Sequence, residues 1–447
     1  MHSFLSYNME KFIALLQTSL AFKSVSTDPA FRSEVEACGA WLATQLQTHG
    51  FSVQSITWFG NPLIYGHYVV DPALPTYLIY GHYDVQPAAM EDGWASDPFV
   101  LHDDGERLYA RGVADNKGQH LIHLATIFDL IDKQTLRCNI KVLIEGDEET
   151  GSPYMVSFFE QYKDLLACDG VIISDGEIIW HATPTMTESF RGGANMTLTI
   201  QTANTDVHSG MYGNILPSAS HVLLNLLAQL YDDKNLIAIP GWYESVAQID
   251  DATVANNLTI PFDTDALFQA TGAKWMVVPT GYDAMTANGL LPTIQVSGLS
   301  SGYTGTGYKN IIPAKAIGKM NFRFAPGQDA KEMISLFTKW VEKMLPSYAT
   351  FTIETSDPYN AIALSTDSER VQTCREALAT AYDKPVIIRH CGAAVPISGL
   401  FQTYVGCPVA VVDFANEDCN MHGIDENFCI ENIEKGLKCS ELLFGKK

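Results

Sequence analysis

Five apolar runs of strand length punctuate the chain: PLIYGHYVV, TYLIYGHYDV, NIKVLIEGDEE, GVIISDG and PVAVVDF. Most of them end in acids or histidine. Helical patterns separate several, as in NKGQHLIHLATIFDLI, where Leu121, Leu124, Ala125 and Phe128 share one face. Continuous apolar strands alternating with amphipathic helices predict an α/β fold built on an open, mostly parallel sheet with helices on both faces. In such sheets the working groups collect at the carboxyl ends of the strands, where these acids and histidines fall.

Between about Glu188 and Ser356 the texture changes. ANMTLTIQT and AIGKMNFRFAP alternate like half-exposed strands, and PSASHVLLNLLAQLY and DAKEMISLFTKWVEKML are strongly amphipathic helices. This pattern predicts a smaller α+β domain over 188–356, inserted into a first domain made of 1–187 and 357–447. After it, DSERVQTCREALATAY and PVAVVDF return to helix and buried strand. The N-terminal MEKFIALLQTSLAF reads as an amphipathic helix rather than a leader, because its basic region is thin and no A-x-A site follows. No run of eighteen apolar residues is present, so no transmembrane span is expected.

Composition narrows the class. A chain of 447 residues, 47% hydrophobic and 18% charged, fits a globular enzyme of two domains. Its net charge of -23 would repel nucleic acid and anionic membranes, so neither is an expected partner. The nine cysteines form no CxxC pair and are odd in number, which points to a reducing, cytoplasmic setting.

Candidate chemistry begins with IEGDEETGSP, where Glu145, Asp147, Glu148 and Glu149 follow an apolar run directly. Neighbouring carboxylates ~5–6 Å apart repel by roughly 3 kcal/mol at an effective dielectric near 20. Either water solvates the run or a cation binds it. In YGHYDVQP, His82 and Asp84 point the same way from a strand end, as a structural hydrogen bond or as a metal ligand with its orienter. Asp115 in ARGVADNKGQ precedes a helix and reads alone as an N-cap. Asp175 ends a strand in VIISDG, and His422 lies among acids in NMHGIDEN. Together these residues make a histidine and carboxylate set without thiolate, suited to zinc or manganese, and numerous enough for two ions sharing a carboxylate.

In order along nearly the whole chain, YGHYDVQPA, LYARGVADNKGQ, IEGDEETGS, ISDG, DVHSGMYG, IIPAKAIGKMNFRFAPGQ and MHGIDEN resemble the motifs of the carnosinase-like dipeptidases. These are the cytosolic nonspecific dipeptidase type within the dinuclear metallohydrolases that include aminoacylase and the glutamate carboxypeptidases. The resemblance implies that His82 and Asp175 bind one metal and Glu149 and His422 the other, with Asp115 bridging. It makes Asp84 the orienter of His82 and Glu148 the general base. It further implies a cis peptide after Asp115, a homodimer formed through the inserted domain, and His208 of DVHSG reaching the partner's site to stabilise an oxyanion. Arg323 would engage the substrate carboxylate and Asn310 would add a polar contact. Without the resemblance, His208 reads as a turn histidine and Arg323 as a surface strand arginine. Glu145 and Asp147 gain no role and read as solvated.

Two departures stand out: CGAAVP has Ala393 and Ala394 where the family usually carries a glycine and a serine, and SDPYNAI lacks a histidine that some members have. The expected protein is a cytoplasmic, homodimeric metallopeptidase with two divalent ions, zinc before manganese. It hydrolyses dipeptides or short peptides with a free carboxylate. The alternatives are an N-acyl amino acid deacylase or carboxypeptidase on the same site and, from another class, a non-catalytic binding protein.

Overall fold

A computed structural model of the protein describes residues 2–180, 182–356, 358–393 and 395–446, with side chains apart from residues 2–7 and 270. Ala394, in the departing loop, lies outside the described residues. The chain divides into two compact units: Met1–Glu188, Leu364–Arg389 and Ile397–Lys447 form the first, and Ser189–Ala363 with His390–Pro396 form the second.

In the first unit a sheet runs in the order Ser52–Ile56, Leu63–Tyr68, Asn139–Glu145, Thr76–His82, Gly170–Ile173, Val409–Asp413 and Thr185–Phe190. The four strands from Asn139–Glu145 to Val409–Asp413 pair in parallel. The flanking pairs are antiparallel, so the sheet is mixed rather than mostly parallel. Connection length accounts for part of the difference. Residues 57–62 are too few for a crossover, so the two strands they join are antiparallel, whereas residues 83–138 accommodate the helix Lys117–Asp132. The central strands are buried along almost their whole length, as their uninterrupted apolar runs require.

Helix Lys117–Asp132 departs from the expected single apolar face. Every residue from Lys117 to Leu130 is buried, because the helices His2–Leu20 and Ile430–Phe444 pack on it as well as strand Thr76–His82. Its polar side chains are therefore paired inside the protein. His123 lies 2.9 Å from Ser174 Oγ and 2.8 Å from Ser440 Oγ, and Gln119 spans the carbonyl of Ala114 and the N–H of Phe414. The N-terminal helix buries Phe12, Leu16 and Leu20, spaced one turn apart. The ammonium of Lys117, fully buried, donates to the carbonyls of Ser19 (2.8 Å) and Phe22 (2.9 Å), and so fastens that helix's carboxyl end.

The second unit carries a four-stranded antiparallel sheet in the order Thr293–Ser301, Lys315–Phe324, Gly192–Gln201 and Thr350–Thr355. In Lys315–Phe324 burial alternates with exposure, and Met320, Phe322 and Phe324 join Leu198, Phe337 and Trp340 in a separate core. Helices Ala219–Leu227 and Ala330–Met344 supply the opposing apolar faces. Among the described residues no helix is long and apolar enough to cross a membrane.

Replacing Lys117 by Ala removes a donor from two helix-end carbonyls, leaving that of Ser19 only the N–H of Phe22, and opens space in the core, a loss of about 2–4 kcal/mol. Urea unfolding should show a lower midpoint at unchanged slope. A midpoint equal to that of the parent chain would show that the ammonium does not fasten the helix.

Candidate metal centre

The parallel register brings His82 to the same sheet edge as the ends of Asn139–Glu145 and Gly170–Ile173, so the turns carrying Glu148, Glu149 and Asp175 begin beside it. Asp84 lies just past His82 and is fully buried. Its carboxylate accepts the backbone N–H groups of Glu148 (3.2 Å) and Glu149 (3.1 Å) and the hydroxyl of Ser26 (2.6 Å). His82 Nδ1 lies 3.0 Å from the Asp84 carbonyl and 3.4 Å from its carboxylate. Asp84 thus orients both the imidazole and the turn Glu148–Thr150.

Asp115 does not cap the following helix. Asn116 occupies the N-cap position without a side-chain cap bond, and the Asp115–Asn116 peptide is cis. The carboxylate of Asp115 faces two imidazoles instead: Oδ1 is 3.0 Å from His82 Nε2, and Oδ2 is 2.9 Å from His422 Nε2. Two groups result, His82 with Asp115 and Asp175, and Asp115 with Glu149 and His422; within each, the candidate ligand atoms lie within 4.8 Å of one another. Asp175 Oδ1 is 3.5 Å from His82 Nε2, and Glu149 Oε2 is 3.2 Å from His422 Nε2. Glu148 belongs to neither group; its Oε2 stops 4.0 Å from His82 Nε2, and its side chain is 28% exposed against 3% for Glu149.

The charges explain what such a site can hold. Burial disfavours a charged His82, but Asp175, Asp115 and Asp84 outweigh it and hold the ring's pKa well above its ordinary value. Asp115 and Glu149 raise His422 to about 10. Burial raises Glu148, reinforced by Asp175, Asp115 and Asp84. The cluster therefore holds more negative charge than its two imidazoles balance. Glu149 also buries an oxygen, Oε1, that has no hydrogen-bond partner among the described residues. An orphaned carboxylate oxygen among imidazole and carboxylate donors fits a divalent ion of the zinc or manganese kind.

Several residues of the site carried no signal that the sequence reading used. Gln86 donates to Glu149 Oε2 at 2.7 Å, and Asn116 donates to Asp175 Oδ1 at 2.8 Å. The fully buried Glu426 accepts from the backbone N–H groups of Gly112, Ala114 and Asp115 and from Arg111 Nη1. Arg111 in turn donates to the carbonyls of His422 and Gly423, which braces His422 at a left-handed φ of 61°. Gln86 and Glu426 stood inside quoted motifs, but nothing local distinguished them from solvated residues.

The solvated reading of Glu145 and Asp147 is corrected. Glu145 is buried, accepts from Tyr80 Oη (2.5 Å) and Ser152 Oγ (3.0 Å), and is pushed up to about 7 by burial. Asp147 accepts from the backbone and side-chain nitrogens of Asn61 at 2.7 and 2.6 Å.

His208, Asn310 and Arg323 belong to the second unit. His208 is exposed, and its Nδ1 accepts from Gly210 N at 3.0 Å, which puts the ring proton on Nε2. The Asn310 carbonyl accepts from Ser209 N on the adjoining segment. Arg323 donates to Tyr359 Oη at 3.1 Å and, with Arg191, lines a cavity of about 800 Å³ in whose wall no acidic side chain is found among the described residues.

Histidines and carboxylates gathered at strand ends of an α/β sheet define the class as a metal-dependent hydrolase. Residues 78–445 match the model of peptidase family M20/M25/M40, and the chain belongs to that family. It is a metallopeptidase. Among its relatives, the Cys-Gly metallodipeptidase DUG1 of Candida albicans is 29% identical over 96% of this chain and 93% of its own. The crystal structure of human carnosine dipeptidase 1 aligns with a TM-score of 0.79 at 26% identity, covering 99% of this chain and 97% of that one. The metallo-carboxypeptidase Sso-CP2 of Sulfolobus solfataricus aligns with a TM-score of 0.82 at 26% identity, covering 97% and 98%.

Glu426→Gln should weaken divalent-metal affinity by about 10–100-fold, because an amide cannot accept from all four donors that position Asp115 and the His422 loop. Titration against a chromogenic chelator measures the loss. Unchanged affinity in a folded variant would rule out this bracing role.

Proposed function

We propose that this metallopeptidase is a cytoplasmic, homodimeric dipeptidase that cleaves dipeptides or short peptides bearing a free C-terminal carboxylate. The observation that carries this reading is Asp115, whose two oxygens face different histidines at 3.0 and 2.9 Å, with Glu148 close by but outside both groups. His82 and Asp175 would hold one divalent ion and Glu149 and His422 the other, sharing Asp115; zinc suits this donor set first and manganese second. When bound, such ions polarise a carbonyl oxygen and lower the pKa of water.

The remaining chemistry falls to the chain's own side chains. Glu148, the most open carboxylate of the cluster, takes the proton of the attacking water and returns it to the leaving amine. Asp84 holds the backbone of Glu148 and Glu149 and the ring of His82. Arg323 pairs its planar fork with the peptide carboxylate, in a cavity whose second guanidinium, Arg191, is tied to the carbonyls of Gly392 and Leu291. Asn310 adds a polar contact. The second unit serves as lid and dimerisation domain, and the Nε2–H of His208 donates to the oxyanion in the partner's site.

The likeness to a metallo-carboxypeptidase favours a second reading, carboxypeptidase action on longer peptides. A chromatographic product assay separates the two. Dipeptides should turn over faster than longer peptides or N-acetyl amino acids, and a chelator should abolish the activity. Preferential release of acetate or of C-terminal residues from long peptides would overturn the dipeptidase reading.

Glu148→Gln should retain metal, measured by elemental analysis, while kcat falls by about 10²-fold or more. Near-normal turnover in the metal-loaded variant would remove Glu148 from its role. His208→Ala should also lose turnover and keep metal. Heterodimers that combine His208→Ala with Glu148→Gln subunits should regain activity, since one of their two sites then has both groups intact. Inactive heterodimers, confirmed by native mass spectrometry, would place His208 outside the partner's chemistry.

A further inference from the structure

The amino ends of two central strands bring together a pair of thiols that hydrolysis does not use. Cys168 precedes strand Gly170–Ile173, and Cys407 precedes Val409–Asp413. The parallel register that sets Val171 beside Val409, with Val171 N donating to Pro408 O at 2.9 Å, aligns the segments before the strands as well. The two sulfurs lie 3.7 Å apart, with Cys168 donating to Cys407. No other sulfur pair among the described residues is in hydrogen-bond range.

The surroundings favour reaction at this pair. Cys168 is half-buried and reachable from solvent, whereas Cys407 is buried. Lys141 donates to the carbonyls of Leu165 (2.7 Å) and Ala167 (2.6 Å), and so fixes a cation on the segment that carries Cys168. Donation between the sulfurs keeps the proton on Cys168, whose pKa rises, and makes Cys407 the better thiolate, with a pKa below the ordinary thiol value.

We propose that Cys168 and Cys407 form a dithiol modification site, which a hydroperoxide converts into an intramolecular disulfide. One sulfur, as thiolate, attacks the peroxide O–O bond and becomes a sulfenic acid as the first oxygen leaves as water. The second sulfur then attacks the sulfenic sulfur, forms the S–S bond and expels the second oxygen as water. The two thiols lose two electrons and two protons, and hydrogen peroxide takes up both to give two waters. The bond joins residues 239 apart in the sequence, before and after the chain of the second unit. It lies at the amino ends of strands whose carboxyl ends lead to the metal-binding cluster, so it restrains unfolding without entering the hydrolytic site.

The test uses the full chain, purified under reductant, exposed to hydrogen peroxide, alkylated and digested without reduction. Mass spectrometry should find the peptides of Cys168 and Cys407 joined and lighter by two hydrogens than their sum, and dithiothreitol should release them. The oxidised parent should gain about 5 °C in Tm, and Cys407→Ser should gain nothing. Should Cys407→Ser fold poorly, Cys168→Ser gives the same comparison. Cys429 is the internal control, being half-buried with no sulfur in hydrogen-bond range among the described residues. The proposal is overturned if peroxide oxidises Cys429 while Cys168 and Cys407 both still alkylate as free thiols. It is equally overturned if the linked peptides come from a different pair, or if the link forms without the gain in Tm.

Discussion

The buried carboxylate of Glu426 is the contact on which the geometry of the metal-binding edge depends. It gathers the N–H groups of Gly112, Ala114 and Asp115, although 311 residues separate Asp115 from it in the sequence. Arg111 closes the arrangement by bonding Glu426 on one side and the carbonyls of His422 and Gly423 on the other. Burial penalises the charge on Glu426, and Arg111 and the backbone donors offset part of that penalty. The same contact thus sets two things at once, the direction of the Asp115 carboxylate and the position of the His422 ring. The chain that forms the second unit runs between these two segments, so little else in the local sequence could bring them into register.

The acidic run after strand Asn139–Glu145 resolves the repulsion among its members by giving each a different environment. Glu145 is taken into the core, where Tyr80 and Ser152 supply donors and burial raises its proton affinity. Asp147 anchors the turn to Asn61. Glu149 turns inward towards His422 and Gln86, and Glu148 stays more open than Glu149. Water alone was the simplest way to accommodate four clustered carboxylates, yet the side chains of Glu145 and Glu149 are withdrawn from it. The backbone makes this division possible: two consecutive N–H groups of the turn point at Asp84 and fix the directions in which Glu148 and Glu149 leave it.

The second unit handles charge differently. Its cavity carries Arg191 and Arg323 on a wall without acids among the described residues, in a chain whose formal net charge is -23. Among the described residues Arg191 is held by carbonyls, those of Gly392 and Leu291, and burial together with Arg323 lowers its pKa to about 10. An anion is the natural complement to such a pair.

Much of this organisation was already readable along the chain, because periodicity and strand-end chemistry are local properties. Alternation in AIGKMNFRFAP predicts the half-buried strand Lys315–Phe324, and the uninterrupted runs ending in His82 and just before Asp175 predict buried strands with polar groups at their exits. The same residues carry the family motifs, so the sequence by itself determined the class of enzyme and the candidate ligands. Three-dimensional packing decided what no short window contains. It made the sheet mixed, since pairing direction depends on which strands meet. It buried the helix Lys117–Asp132 on all sides, since that depends on the later arrival of Ile430–Phe444. It also turned Glu426, Gln86 and Glu145 from apparent surface acids and amides into positioning groups. A carboxylate's role depends on which donors surround it, and here those donors come from segments tens to hundreds of residues away.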